Sequence, residues 1–397
     1  MSNVCPLNAA NNRSLRGVST GSYPESAFNP RNESRSTSRC THRCERGRAL
    51  SPASPQQIPV VVLAGFLGSG KTTLLNHLLH SSGGSRIGAV VNDFGAIEID
   101  AMAVAGALGD STVSLGNGCL CCAVDASELD VYLERLAQPS AGIDVIVIEA
   151  SGLAEPQELV RMLLASENPR VVYGGLVEVV DAAEFDDTRQ KHPEIDRHLG
   201  LADLVVVNKA DRAEEPEHVL RLVRTLTDRA AVVPVTYGRI DPELLFDCKP
   251  STERIGQLSF DDLHEHAHED GREHAGHLHS VYESLAFTTE VPLGPRRLMD
   301  FLDSRPEGLY RIKGYVDFGA ADTRNRYAVH AVGRFLRFYP EPWAPGEERR
   351  TQLVLIGSGI DAPALGKELE ACKEDAPHAD EHSMWGVLRY VQDPDEA

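Results

Sequence analysis

One octapeptide constrains this chain more than anything else in it: Gly65-Phe66-Leu67-Gly68-Ser69-Gly70-Lys71-Thr72. Ahead of it runs apolar Pro59-Val60-Val61-Val62-Leu63-Ala64, and behind it Thr73-Leu74-Leu75-Asn76-His77-Leu78-Leu79. A short, continuous apolar run reads as a strand buried on both faces, and leucines at helical spacing read as one face of a helix. A glycine-rich turn between strand and helix aims successive backbone N–H groups at one point, which is how a phosphate is held. The spacing is the G-x-x-x-x-G-K-T phosphate loop, which puts Gly65, Gly68, Ser69, Gly70, Lys71, Thr72 and Thr73 around the phosphates. Lys71 is expected to reach the β- and γ-phosphates, and the Thr72 hydroxyl to hold Mg²⁺.

The rest of the chain fits that start. Apolar stretches at Val60–Leu63, Ile87–Val91, Val113–Leu115, Val145–Ile148, Val171–Val180, Leu204–Val207 and Val232–Val235 are predicted strands. Helical patterns such as Ser127–Ala137 and Glu155–Leu164 lie between them. Such alternation predicts an α/β domain over 58–250, a mostly parallel sheet with helices on both faces. Ligands of such sheets bind at the carboxyl ends of the strands. A polar segment over 251–280 reads as a linker. A smaller α+β domain is expected over 281–395, with strands at Ser284–Thr289, Tyr310–Val316, Tyr327–Val332 and Gln352–Ile356 and helices at Pro295–Ser304 and Ala362–Cys372.

Two further motifs sit on predicted strand ends. Ile143-Asp144-Val145-Ile146-Val147-Ile148 runs into Glu149-Ala150-Ser151-Gly152. There the carboxylate of Glu149 is expected to orient a Mg²⁺ shell, and the Gly152 N–H to meet the γ-phosphate. Ala202-Asp203-Leu204-Val205-Val206-Val207 runs into Asn208-Lys209-Ala210-Asp211. A carboxylate at Asp211 can accept from both guanine N1–H and its exocyclic amine, a pairing adenine lacks. Asn208 and Lys209 would brace the loop and the base. The three motifs in this order favour GTP/GDP over adenine nucleotides, with Lys71, Thr72 and Glu149 as the catalytic set.

Between the phosphate loop and E-x-x-G lies Gly116-Asn117-Gly118-Cys119-Leu120-Cys121-Cys122. Three thiols in four residues can converge on one soft, tetrahedral ion. Zn²⁺ fits best, with Cu(I) and Co²⁺ as alternatives. A fourth ligand would come from water, from Asp93 or Glu98, or from a partner protein. This loop follows Asn92–Asp100, the place of a GTPase switch, so metal and nucleotide could bias one mobile element. A plain buried or redox-active cysteine cluster is the competing reading. His264, His266, His268, His274, His277 and His279 crowd the linker and suit weak, fast-exchanging capture of divalent metal.

These stretches together resemble the CobW family: Gly65–Thr72, Asn92–Asp100, Gly116–Cys122, and Glu149-Ala150-Ser151-Gly152-Leu153-Ala154-Glu155-Pro156. Asn208–Asp211 and Thr236-Tyr237-Gly238-Arg239-Ile240-Asp241 extend the likeness. In the C-terminal part, Leu309–Tyr315 and Leu353–Gly357 carry it. The resemblance implies a metal-handling GTPase, related to the nickel chaperones UreG and HypB, that delivers Zn²⁺ or sometimes Co²⁺ to a client metalloprotein. Asp93 stands where Glu is commoner in the family, and Ser151 where Thr is commoner; both keep the chemical type. Nothing in the motifs points to corrin chemistry.

Composition bounds what remains. A formal charge of −20 argues against nucleic acid and an anionic membrane as partners. No apolar run approaches the roughly 18 residues of a membrane span. Eight cysteines in 397 residues make no disulfide scaffold and point to a reducing compartment, so the expectation is a cytoplasmic monomer or homodimer. Residues 1–57 hold eight Arg, no Lys and three acids, and read as a disordered tail or an upstream start, less well as a transit peptide. No water-positioning Gln or arginine finger stands out, so slow intrinsic turnover is expected. Two other readings compete: a metal-storage protein with weak or vestigial GTPase activity, and a small-molecule kinase.

Overall fold

The computed structural model describes residues 57–91, 126–152, 154–227, 229–247, 282–374 and 382–391. Its first sheet is built from β1 (Ile58–Ala64), β2 (Ile87–Val91), β3 (Val145–Glu149), β4 (Val171–Asp181), β5 (Leu204–Asn208) and β6 (Ala231–Pro234). They lie in the order β2-β3-β1-β4-β5-β6, and every pairing is parallel. The predicted strand over 232–235 is thus shifted by one residue, while Val113–Leu115 lies outside the described residues.

Period-two alternation explains why β1 is apolar throughout. Val61 and Leu63 enter a core shared with helix α1 (Lys71–His80), and Val60, Val62 and Ala64 enter the core on the other face. That second core is closed by α2 (Ala126–Leu136) and α3 (Pro156–Ala165). The helices α4 (Phe185–Lys191), α5 (Glu194–Leu201) and α6 (Pro216–Leu226) cover the β5 side, burying Phe185, Leu199 and Val223. A short helix α7 (Pro242–Leu245) follows β6.

The strands of the second sheet are β7 (Glu283–Thr289), β8 (Leu309–Val316), β9 (Asn325–Val332), β10 (Phe335–Pro342) and β11 (Thr351–Gly357). They are antiparallel, in the order β10-β9-β8-β11-β7. The helices α8 (Pro295–Asp303), α9 (Ala362–Ala371) and α10 (Trp385–Leu388) pack their apolar stripes on one face of this sheet.

Its other face meets the amino ends of the parallel strands. Tyr310, Val332 and Ile356 join the α1-side core, and Tyr310 is 1% exposed. The site is shaped for that ring: a Cβ at Gly175, where φ is +114°, would come within 2.8 Å of the Tyr310 hydroxyl. Polar bonds seal the seam. His330 Nε2 donates to Tyr173 O at 2.9 Å, and Ser358 Oγ donates to Val232 O at 3.1 Å. Burial pushes His330 down to about 4, so the ring is neutral when it makes this bond. The phosphate loop, at the carboxyl end of β1, lies at the opposite edge of the sheet.

Candidate functional site

The loop after β1 turns on glycine. Gly65, Gly68 and Gly70 have φ of +139°, +79° and +103°, a region that resists side chains. A Cβ at Gly65 would approach Val179 O to 2.3 Å, and one at Gly70 would approach Asn208 Nδ2 to 2.2 Å. The loop therefore runs against β4 on one side and the end of β5 on the other. No side chain caps the first turn of α1, which leaves backbone N–H groups for a ligand. Lys71 is buried and folds back, its Nζ donating to Gly65 O at 2.9 Å and Phe66 O at 3.2 Å. Phosphate oxygens would offer that ammonium charged acceptors in exchange for two neutral ones.

The other two motifs converge on the same loop. Thr72 Oγ1 donates to Glu149 Oε1 at 2.6 Å, and Glu149 is 4% exposed at the carboxyl end of β3. A hydroxyl and a carboxylate one hydrogen bond apart beside a phosphate cradle are the hard oxygen donors that Mg²⁺ takes. Gly152 rests against the loop: a Cβ there would lie 2.8 Å from Leu67 N. Asn208 links three segments, its Nδ2 donating to Ser69 O and its Oδ1 accepting from Gly238 N, both at 2.9 Å. Lys209, with φ of +57°, donates to Gly68 O at 2.8 Å and pairs with Asp181 at 2.5 Å. Arg212 N donates to Lys209 O at 2.9 Å, closing a turn that presents Asp211 at the surface. Gly238 packs on the start of α1, 2.8 Å from Leu74 N to a notional Cβ. Thr73, the last residue assigned to the phosphates, lies in the first turn of α1.

Sequence reasoning missed two acids on β4. Asp181 fixes the Lys209 ammonium, and its signal was an acid closing an apolar run, the same signal that marked Glu149. Glu178 interrupts that run. It pairs in register with Ala64, just before the loop, and is 2% exposed, with Oε2 lacking a hydrogen-bond partner among the described residues. Burial raises its carboxyl to about 8, opposed by the nearby Lys71 charge. The folded chain holds this proton to about pH 8, whereas the unfolded chain releases it near 4.5. Stability from this group is complete below 4.5 and declines as pH rises through that window, by at most about 1.4 kcal/mol per pH unit. Relative to the parent, Glu178→Gln should therefore gain stability between pH 5 and pH 8, by up to about 3–4 kcal/mol. Thermal melts from pH 5 to 8.5 check this, and a constant difference between the two proteins would contradict it.

Cys119, Cys121, Cys122, Asp93, Glu98 and the histidines from His264 to His279 lie outside the described residues, as does the tail over 1–56. Among the described residues no group of three or more His, Cys, Asp or Glu could hold a metal ion. No helix among them is long and apolar enough to cross a membrane.

Comparison with known proteins agrees with the motif order. Residues 59–234 match the CobW/HypB/UreG nucleotide-binding domain, and residues 282–373 match the C-terminal domain described as that of the cobalamin synthesis protein cobW. The zinc chaperone CobW of a Sinorhizobium species is 30% identical over 339 residues, which is 77% of this chain and 94% of that protein. The zinc chaperone YjiA of Escherichia coli K12 is 33% identical over 195 residues, 48% of this chain and 61% of its own length. The zinc-regulated GTPase metalloprotein activator 1 of Schizosaccharomyces pombe is 31% identical over 194 residues, covering 46% and 47%. The solved structure of Zn(II)-bound YjiA aligns over 80% of this chain and 100% of its own at 24% identity, with a TM-score of 0.38. With both domains matched in order and a relative aligned over nearly its whole length, the chain belongs to the CobW family.

Proposed function

We propose that this protein is a GTP-hydrolysing metallochaperone that carries Zn²⁺ on Cys119, Cys121 and Cys122 and passes it to a client metalloprotein. The observation that carries the nucleotide half is the bracing by Asn208. One amide ties the phosphate loop to the N-K-x-D strand end and to the loop at Gly238, so phosphate and base recognition are built as one unit. In this reading Lys71 leaves the Gly65 and Phe66 carbonyls for the β- and γ-phosphates, Asp211 reads guanine, and Lys209 is held in place by Asp181. Thr72 and Glu149 would hold Mg²⁺, which when bound would neutralise phosphate charge. Water attacks the γ-phosphate to give GDP and phosphate, and this chain contributes positioning and charge stabilisation.

The metal half rests on the cysteine loop of the sequence and on relatives named zinc chaperones. Co²⁺ is the second cargo consistent with a three-thiolate site. The linker histidines would collect metal for the cysteines. The test is a zinc titration of GDP-loaded, GTP-analogue-loaded and empty protein, alongside GTP turnover with and without Zn²⁺. We expect one tightly held zinc, lost when the three cysteines become Ser. Its affinity should differ between nucleotide states by about 5–150-fold, the usual span of site-to-site coupling. Identical affinity in all three states would end the delivery reading. No turnover and no metal dependence would favour a storage protein.

A further inference from the structure

A cavity of about 340 Å³ lies where the second sheet meets the amino ends of β4 to β6, at the edge of the parallel sheet away from the phosphate loop. That volume is at the small end of the ligand-pocket range of roughly 300–1,000 Å³. Part of its solvent-facing wall is apolar: Leu164 and Leu201 line it, 50% and 39% exposed, along with Phe335 from β10. Large aliphatic side chains left open around a concave surface mark a site that something covers.

The charged lining is mostly basic, three arginines to one acid, Asp203. Arg229, Arg305 and Arg334 all contribute to it, in a chain whose net charge is −20. Arg305 is fixed by its Nε donating to Leu302 O at 2.7 Å, and Arg229 Nη1 donates to Asp303 O at 3.4 Å. Burial and then the neighbouring Arg229 charge press the Arg305 guanidinium below its ordinary range, against the smaller opposing pull of Asp303 and Asp203, so two like charges share one partly dry space. The acid in the floor feels the Arg305 charge but makes its hydrogen bonds elsewhere. The Asp203 carboxylate accepts from the Tyr173 hydroxyl at 2.5 Å, from Leu176 N at 2.9 Å and from the Arg334 backbone N–H. A Cβ at Gly333, where φ is +52°, would come within 1.7 Å of Asp203 Oδ1, so the turn is shaped around that carboxylate.

We propose that this cavity binds an amphipathic monocarboxylate, its head between Arg229 and Arg305 and its hydrocarbon against Leu164, Leu201 and Phe335. A guanidinium pair matches a carboxylate in shape and charge. One acid already in the floor disfavours a doubly charged head. The site is separate from the nucleotide loop, so it stands whether or not the GTPase reading does.

The test is calorimetric titration of the full chain with decanoate, with decanol as the neutral analogue and inorganic phosphate as a head without a tail. Saturable one-to-one binding of decanoate is expected, at least tenfold tighter than decanol. Affinity should fall by up to about fourfold for each methylene removed from the chain. Arg305→Gln and the exposed Arg229→Gln should each weaken decanoate at least tenfold. Leu164→Glu, on the open rim, should do the same by placing a like charge beside the carboxylate. Circular-dichroism melts identify which variants are folded, and Arg229→Gln and Leu164→Glu decide the matter where Arg305→Gln is not. No saturable binding, equal binding of decanol, displacement by phosphate at matched concentration, or parent affinity in a folded variant would each overturn the proposal.

Discussion

Lys71→Ala should lower GTP turnover by about 10²–10³-fold, the usual effect of removing one fixed donor from developing charge. The reason lies in where the ammonium now sits. Its two bonds to Gly65 O and Phe66 O keep it buried at the base of the loop. Moving to the phosphates exchanges neutral acceptors for charged ones, so the gain appears only once nucleotide is bound. The loop has supports besides that side chain: glycines of positive φ and the Asn208 bond to Ser69 O remain when the two lysine bonds are lost. A folded variant with intact zinc binding at Cys119, Cys121 and Cys122 is therefore expected. Phosphate release under single-turnover conditions gives the rate, and a zinc titration of the same protein gives the second reading. Turnover within tenfold of the parent would remove Lys71 from the mechanism, and joint loss of turnover and zinc would contradict two separable sites.

Much of the fold was legible because burial on both faces leaves a plain mark. The strands β1, β3 and β5 are continuous apolar runs bounded by glycine or charge, and their positions followed within a residue or two. Phe335–Pro342 was not foreseen as a strand. It is FLRFYPEP, with Pro340 and Pro342 in a stretch that would otherwise alternate. The structure explains the tolerance: β10 is the edge of its sheet, where a residue without an N–H leaves fewer ladder bonds unmade. The short helices α4 and α5 were hidden by their charge. The structure brings together Lys71, Thr72, Glu149 and Asn208, which the motifs single out, because each ends a parallel strand or begins the helix behind one. Glu178 and Asp181 escaped notice for a physical reason. Whether an acid in an apolar run is buried, and which cation it faces, depends on register with β1 and β5 rather than on its own neighbours in sequence.

Asp211→Asn should reverse the choice of base. Guanine presents two donors side by side, N1–H and the exocyclic amine, and a carboxylate can accept both. Charge-assisted bonds of this kind contribute about 1.5–3 kcal/mol each, so losing their pairing should weaken GDP by about 10²–10³-fold. An asparagine amide has one acceptor and an NH₂, which would face the guanine amine donor to donor. Xanthine carries a carbonyl in place of that amine and presents one donor and one acceptor, which match the amide. The support around position 211 makes a clean swap reasonable. The turn is closed by Arg212 N on Lys209 O, while Lys209 is pinned by Asp181 and Gly68 O, none of which involves the Asp211 side chain. Equilibrium titrations with GDP, XDP and ADP on both proteins measure it. The parent should prefer GDP, and the variant XDP. A variant that still chose GDP would show that Asp211 does not read the base. A parent that chose ADP would return the phosphate loop to the kinase reading.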